Sequence, residues 1–348
     1  MKTNLSSQIT LNRVSPRYYR PENAFERSVL TRLEKIPTDI YESPEEGANQ
    51  IALDIAQMIR DKQKAGRFCV LALAGGNSPR NVYSALVRMH KEEGLSFRNV
   101  VVFNLYEYYP LASDAVNSNL NSLKEMLLDH VDIDMQNVFS PSGTIAKDTI
   151  FEYCRLYEQR IESFGGIDIA VLGIGRVGNI GFNEPGSYAK SRTRLVQLTH
   201  NTRKIQSGAF FGLDYTPKLA ITMGIDTIMR ADKIILMAWG EEKAQIIQKV
   251  VEGEITTQVP ASNLQAHPNI EVVIDENAAQ LLTREQTPWL VGPCKWTPKF
   301  TRKAVVWLCG VVQKPILKLT YKDYIENSLG ELLEQGRAYD QINIDVFN

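Results

Sequence analysis

Cysteine is scarce in this sequence. Four residues in 348, Cys69, Cys154, Cys294 and Cys309, form no C-x-x-C pair and no Cys/His cluster. This argues against a disulfide scaffold and a zinc site, and a reducing, cytoplasmic setting is expected. Histidine is equally thin. His90, His130, His200 and His267 lie far apart and match no metal-ligand spacing, so no metal or other cofactor is predicted. Neither sign of charge dominates, and a formal net charge of −1 gives no long-range attraction to nucleic acid or an anionic membrane. An anionic metabolite has to be caught by a local site. No apolar run reaches the roughly 20 residues a bilayer requires. The most apolar one, residues 304–311, is followed at once by Gln313, Lys314 and Pro315 and is expected to pack on a domain or at an interface. The opening stretch MKTNLSSQITLNRVSPRYYRPE has no apolar core of the signal-peptide kind.

What is present is the composition of a folded soluble chain, 44% hydrophobic and 23% charged. Residues 1–35 are polar, with Pro16 and Pro21, and read as an N-terminal extension. After Ser43, apolar residues at Ile51, Ala52, Ile55, Met58 and Ile59 mark one helical face, closed by Lys62, Lys64 and Gly66. Short apolar runs then alternate with amphipathic stretches: Phe68–Leu73, Val100–Asn104, Ile167–Leu172, Leu219–Met223, Lys233–Ala238 and Ile270–Ile274. Strands apolar on both faces, separated by helices, predict an α/β fold with a mostly parallel, doubly wound, Rossmann-like sheet covered on both faces. Ligands in such sheets sit at the carboxyl ends of strands, so the loops after Leu73, Phe103, Leu172, Met223 and Ala238 matter most. One domain over residues 36–283 is expected. Residues 284–348, rich in Pro, Trp and basic residues at first, read as a tail or linker with a terminal helix.

Two glycine loops stand out. LGIGRVGNIGFNEPGS contains G-x-G-x-x-G at Gly173, Gly175 and Gly178. A dinucleotide fingerprint needs a helix starting within the glycines and an acidic residue about 20 positions on. Gly181, Pro185 and Gly186 oppose that helix, and SRTRLVQLTH occupies the acidic position, so the dinucleotide reading fails. The second loop is Gly75, Gly76, Asn77 and Ser78, placed between a strand and a helix, with Pro79 suited to the first helical turn. Glycines that admit close backbone approach, a hydroxyl, and amides at a helix start favour a phosphate over an ordinary turn that binds nothing.

In this order the loops resemble the glucosamine-6-phosphate deaminase (isomerase) family over about Ile36 to Leu282. VVVFNLYEYYPL is similar to that family's F-N-x-D-E-Y segment. LGIGRVGNIGFNEPGS followed by SRTRLVQLTHNTR matches G-x-G-x-D-G-H-I-A-F-N-E-P with S-R-T-R and T-x-x-T-R, and GEEKA matches G-x-x-K-A. The resemblance implies a parallel-sheet domain, an oligomer, and a reaction that opens a sugar-phosphate ring, shifts a proton between C1 and C2 and releases ammonia. It also implies an aspartate base, a ring-opening histidine, and an aspartate and a glutamate that orient the histidine.

This chain departs from that set. Tyr106 stands at the base, Val177 at the orienting aspartate and Asn179 at the histidine; only Glu184 is retained. An asparagine amide and a valine carry no useful proton, and a phenol with a pKa of about 10 is a poor base near neutrality. Tyr106, Tyr108 and Tyr109 either fill space left by smaller groups or are used in their own right. Lys243 matches the family's phosphate lysine, whereas Gly208 and Ala209 fall where its phosphate arginine is expected. Arg194 matches an arginine of the family's second, regulatory phosphate site, although Val196 replaces the neighbouring basic residue. His200 and His267 fall in matched segments and read as structural. The region after Thr283 resembles the joining segment of bacterial chains that fuse such a domain to a zinc-dependent deacetylase of the PIG-L/LmbE type, which makes a fused or partnering deacetylase a candidate partner. Three readings follow: a domain that still binds a sugar phosphate without the old chemistry, an enzyme with altered chemistry through Tyr106 or Glu184, or a structural and oligomerisation module.

Overall fold

The computed structural model describes residues 21–112 and 114–348. Residues 34–280 form one compact unit, and residues 21–33 with 281–348 form another. In chain order the strands of the first unit are β1 Thr38–Tyr41, β2 Cys69–Leu73, β3 Val100–Asn104, β4 Tyr106–Tyr109, β5 Val138–Phe139, β6 Ile169–Gly173, β7 Arg194–Gln197, β8 Leu219–Thr222, β9 Lys233–Ala238 and β10 Ile270–Asp275.

Seven of them make a parallel sheet in the order β1-β10-β9-β6-β2-β3-β5. β2 and β3 are buried at every position, which is why the sequence shows unbroken apolar runs there and no alternation. The helix Pro44–Lys64 starts where Ser43 Oγ accepts the Glu46 amide at 3.2 Å, with Pro44 in its first turn. Its buried face, Ile51, Ala52, Ile55, Ala56 and Ile59, joins Leu71, Leu73, Val82 and Leu86 in the main core. Each Ile, Leu or Val side chain among them contributes roughly 1.5–3 kcal/mol on burial.

Strand order reverses between β2 and β6. The chain proceeds from β2 to β3 and β5 on one side, while β6, β9 and β10 lie on the other. Both glycine loops leave the carboxyl ends of these two strands, the place where open α/β sheets form their ligand crevice.

Residues 219–222, expected in the parallel sheet, belong to a separate antiparallel sheet ordered β4-β8-β7. Their apolar character shows burial but not the partner strand. Leu105 joins the two sheets: its amide donates to the Leu73 carbonyl at 2.8 Å, and its carbonyl accepts the Met223 amide at 2.9 Å. No residue from Leu219 to Ile228 lines the cavity described below, so the loop after Met223, expected among the ligand loops, is not one of them.

In the second unit, residues 284–348, expected as a tail or linker, instead fold as short helices around their own core. Trp289, Ala304, Val305, Leu308, Tyr324, Leu332 and Ile342 are buried together there. The helix Pro298–Val312 contains the apolar run 304–311 and buries Ala304, Val305 and Leu308 from it. Trp289 stacks edge-on against Phe300 and Trp307, at ring-centroid distances of 5.5 and 5.3 Å. Of the extension at residues 1–35, residues 1–20 lie outside the described residues, and Ala24–Leu30 is a helix capped by Asn23. No helix among the described residues is long and apolar enough to cross a membrane.

Candidate functional site

The carboxyl ends of β2, β6 and β9 surround a cavity of about 290 Å³. That volume lies at the lower end of small-molecule sites and suits a guest of monosaccharide size. One wall is the loop Gly75–Ser78. A Cβ on Gly75 would stand 2.5 Å from the Asn119 carbonyl oxygen, so only glycine lets this loop lie against the start of the helix Asn119–Met126. The Gly76 amide donates to Ser122 Oγ at 3.2 Å, and the Ser78 carbonyl accepts Trp239 Nε1 at 3.0 Å. The helix Arg80–Glu93 begins directly behind the loop with no acidic residue in its first turn, and no side chain among the described residues caps it. Its amino-terminal partial positive charge is left to face the cavity end of the loop.

Gly75→Ala is expected to push the Asn119 backbone aside at a cost of about 1–3 kcal/mol. A thermal melt should show a fall of several degrees. An unchanged melt would show that the loop has room to spare.

The loop after β6 forms the floor. Asn179 Nδ2 donates to the Gly181 carbonyl at 3.0 Å, which turns the amide back onto its own loop. A Cβ at Gly175 would lie 1.8 Å from Asn179 Oδ1, so the glycine makes the space this side chain occupies. Val177 is half-buried beside it and offers only methyl groups. Tyr106 stands at the start of β4, its ring 4.6 Å from that of Phe182. Burial, with the Glu107 carboxylate adding to it, pushes the Tyr106 phenol up to about 12. Tyr108, also on the cavity wall, is pushed up further, again first by burial. Neither phenol is a base near neutral pH. Glu107 is buried and turned away to the helix Asn119–Met126, accepting the Asn119 and Leu120 amides at 3.0 and 3.1 Å and Ser118 Oγ at 2.7 Å.

Glu184 and Arg194 do not line the cavity. The Glu184 carboxylate is buried and accepts the Thr199 amide and hydroxyl, both at 2.9 Å, and the Thr202 hydroxyl. It thereby holds the start of the helix His200–Gln206, which supplies Asn201, Thr202 and Gln206 to the cavity wall. Arg194 donates to Asn183 Oδ1 at 2.9 Å from within the antiparallel sheet. Burial lowers its pKa from the ordinary value.

The cation side is built at the end of β9. Lys243 lines the cavity with a side chain only 15% exposed, and its ammonium lies 3.5 Å from Glu242 Oε1. Glu242 also accepts from Arg176, which reaches across from the loop after β6. Gly75, Gly76, Asn77, Ser78, Tyr106, Val177, Asn179 and Lys243 are thus brought together, whereas Glu184 and Arg194 are not. Sequence reasoning passed over Arg176 and Glu242. The one available signal was a guanidinium set among glycines.

A parallel α/β sheet with its crevice at the strand-order reversal, lined by two glycine loops and a largely shielded lysine, places the chain among Rossmann-like α/β proteins with a cleft at the strand ends. A family model, glucosamine-6-phosphate isomerases/6-phosphogluconolactonase, matches residues 42–273. The chain belongs to this family. It is 69% identical, over its whole length, to a glucosamine-6-phosphate deaminase-like protein of Bacteroides thetaiotaomicron, of which it covers 52%. The chain thus spans about half the length of that relative. It is 41% identical to a glucosamine-6-phosphate deaminase of Oceanobacillus iheyensis over 70% of this chain and 94% of that one. A solved structure described as a monomeric glucosamine-6-phosphate deaminase superposes with a TM-score of 0.67 at 39% identity, covering 71% of this chain and all of that one. A 6-phosphogluconolactonase from Trypanosoma brucei shares the fold, with a TM-score of 0.58 at 20% identity over 71% of this chain.

Proposed function

We propose that residues 34–280 bind a phosphorylated amino sugar at this cavity and have lost most of the deaminase chemistry. The observation that carries the reading is the state of the one retained acid, Glu184. Its carboxylate is committed to Thr199 and Thr202 and stands outside the cavity wall. The other three positions of the resemblance point the same way. They hold a high-pKa phenol, a valine, and an amide bonded back to its own loop. The Gly75–Ser78 loop and Lys243, by contrast, keep what a phosphate needs: amides at a helix start and a largely shielded cation. In this reading Lys243 and the loop take the phosphate, and Arg194 belongs to the scaffold.

Isothermal titration of the full chain tests binding. Glucosamine-6-phosphate should bind with measurable heat and raise the melting temperature, while glucosamine should bind far more weakly. Lys243→Gln should weaken the phosphorylated sugar by about tenfold or more, the scale of one charge-assisted hydrogen bond. No heat and no melting shift at millimolar ligand would overturn the reading and leave a structural module. A working deaminase is the rival reading, favoured by the 41% identity to a protein of that name, and ammonia release decides between the two.

A further inference from the structure

Glu242 is placed oddly for a surface residue. Its carboxylate accepts from the Arg176 guanidinium through one oxygen and lies 3.5 Å from the Lys243 ammonium through the other. The two cations come from different strand ends, after β6 and after β9, and all three residues line the cavity that also contains the glycine loop. The Arg176 and Glu242 side chains are 60% and 50% exposed, so their pair does little for stability, typically about 0–1 kcal/mol. A carboxylate this accessible returns to water readily when a competitor takes its cations.

A phosphate monoester is such a competitor. It carries about −1.5 to −2 charges at neutral pH and three acceptor oxygens, against one charge and two oxygens for Glu242. A planar guanidinium and an ammonium can engage different oxygens of the same group. We propose that Arg176 is a specificity-determining residue that grips the guest's phosphate together with Lys243, and that the phosphate binds by displacing the Glu242 carboxylate bridging the two cations. The inference rests on the sugar-phosphate reading above and adds to it a named second cation and an internal competitor. Glu242 sets a threshold: neutral sugars cannot dislodge it, and a singly charged carboxylate gains nothing over it.

The test is calorimetric titration of glucosamine-6-phosphate into the full chain and into Arg176→Gln, Glu242→Gln and Lys243→Gln, with glucosamine and inorganic phosphate as companion probes. Arg176→Gln should weaken glucosamine-6-phosphate and inorganic phosphate by about tenfold or more. It should leave glucosamine unchanged and the melting temperature within a few degrees, which a merely structural role would not do. Glu242→Gln should strengthen both phosphate probes by at least about threefold, because the competitor has lost its charge. If Lys243→Gln weakens binding while either Arg176→Gln or Glu242→Gln behaves as the unaltered chain, the inference is overturned and the sugar-phosphate reading stands. If the unaltered chain binds neither phosphate probe, both fall.

Discussion

Ammonia release from glucosamine-6-phosphate by the full chain is expected to stay near the uncatalysed level. Loss of one general acid or base typically costs on the order of 10²–10⁴ in rate. On the proposed reading, two such positions are held here by Tyr106 and Asn179, and the position that would orient the histidine is held by Val177. Their effects cannot be multiplied, because groups that act as a unit are not additive. The loss should still reach at least the scale of a single deletion. The Tyr106 phenol, held at about 12, cannot substitute for a carboxylate, since almost none of it is ionised at pH 7. A coupled ammonia assay with saturating substrate measures this directly, and ordinary saturable turnover would end the proposal. Reinstating Asp at 106 and 177 with His at 179 is the converse experiment. Only partial recovery is expected, because Glu184 would have to release Thr199 and Thr202 before it could orient the new imidazole.

The second large effect concerns stability. Glu158 lies in the helix Ile150–Ser163, buried, and its carboxylate accepts the Thr193 amide at 2.8 Å and Arg192 Nη2 at 2.6 Å, with the Thr193 and Thr227 hydroxyls as further donors. This one group ties the helix to the start of β7 and to the short helix Ile225–Ile228. Glu158→Ala removes the acceptor of the Thr193 amide and of the Thr193 and Thr227 hydroxyls, while Arg192 keeps Glu162 at 3.1 Å and Asp226 at 3.6 Å, so the cost is that of unmet buried donors, about 1–3 kcal/mol. Urea unfolding should show the loss. Burial alone would raise the Glu158 pKa, but the Thr193, Thr227 and Arg192 bonds outweigh it and hold the carboxyl below its ordinary value. A depressed folded-state pKa stabilises above the unfolded value of about 4.3 and loses that contribution as pH falls through the folded value. Melting temperatures between pH 7 and 3 should therefore decline more steeply for the native chain than for Glu158→Gln. Parallel acid limbs would show that the network contributes nothing.

The parallel sheet was legible because β2, β3, β6, β9 and β10 are buried on both faces and appear as apolar runs. β1, β4 and β7 were not. Each is four residues long, and Arg194–Gln197 has no buried position, so no hydrophobic pattern separates it from a loop. The assignment of Leu219–Thr222 to the wrong sheet has the same origin: burial is local, but pairing is a property of distant segments. The glycine loops were readable from composition, since close approach demands glycine wherever it occurs. The commitments of Glu184 were not, because a capping interaction with Thr199 and Thr202 leaves the glutamate itself looking like any other. The Arg176–Glu242 contact joins residues 66 positions apart and shows no trace in either local stretch. After residue 284 a terminal helix was expected, but the helix Pro298–Val312 was not, because its Pro- and Trp-rich approach shows no helical period and its core is built from aromatic contacts between distant residues.

The placement of the indoles has an optical consequence. Of the four tryptophans, Trp289, Trp296 and Trp307 belong to the helical unit, and only Trp239 belongs to the sheet unit. Trp239 donates its ring N–H to the carbonyl of Ser78, a residue on the cavity wall. With the other three changed to phenylalanine, emission from the remaining indole would report on one loop alone, and a wavelength shift on titration would read that loop's change of environment in solution.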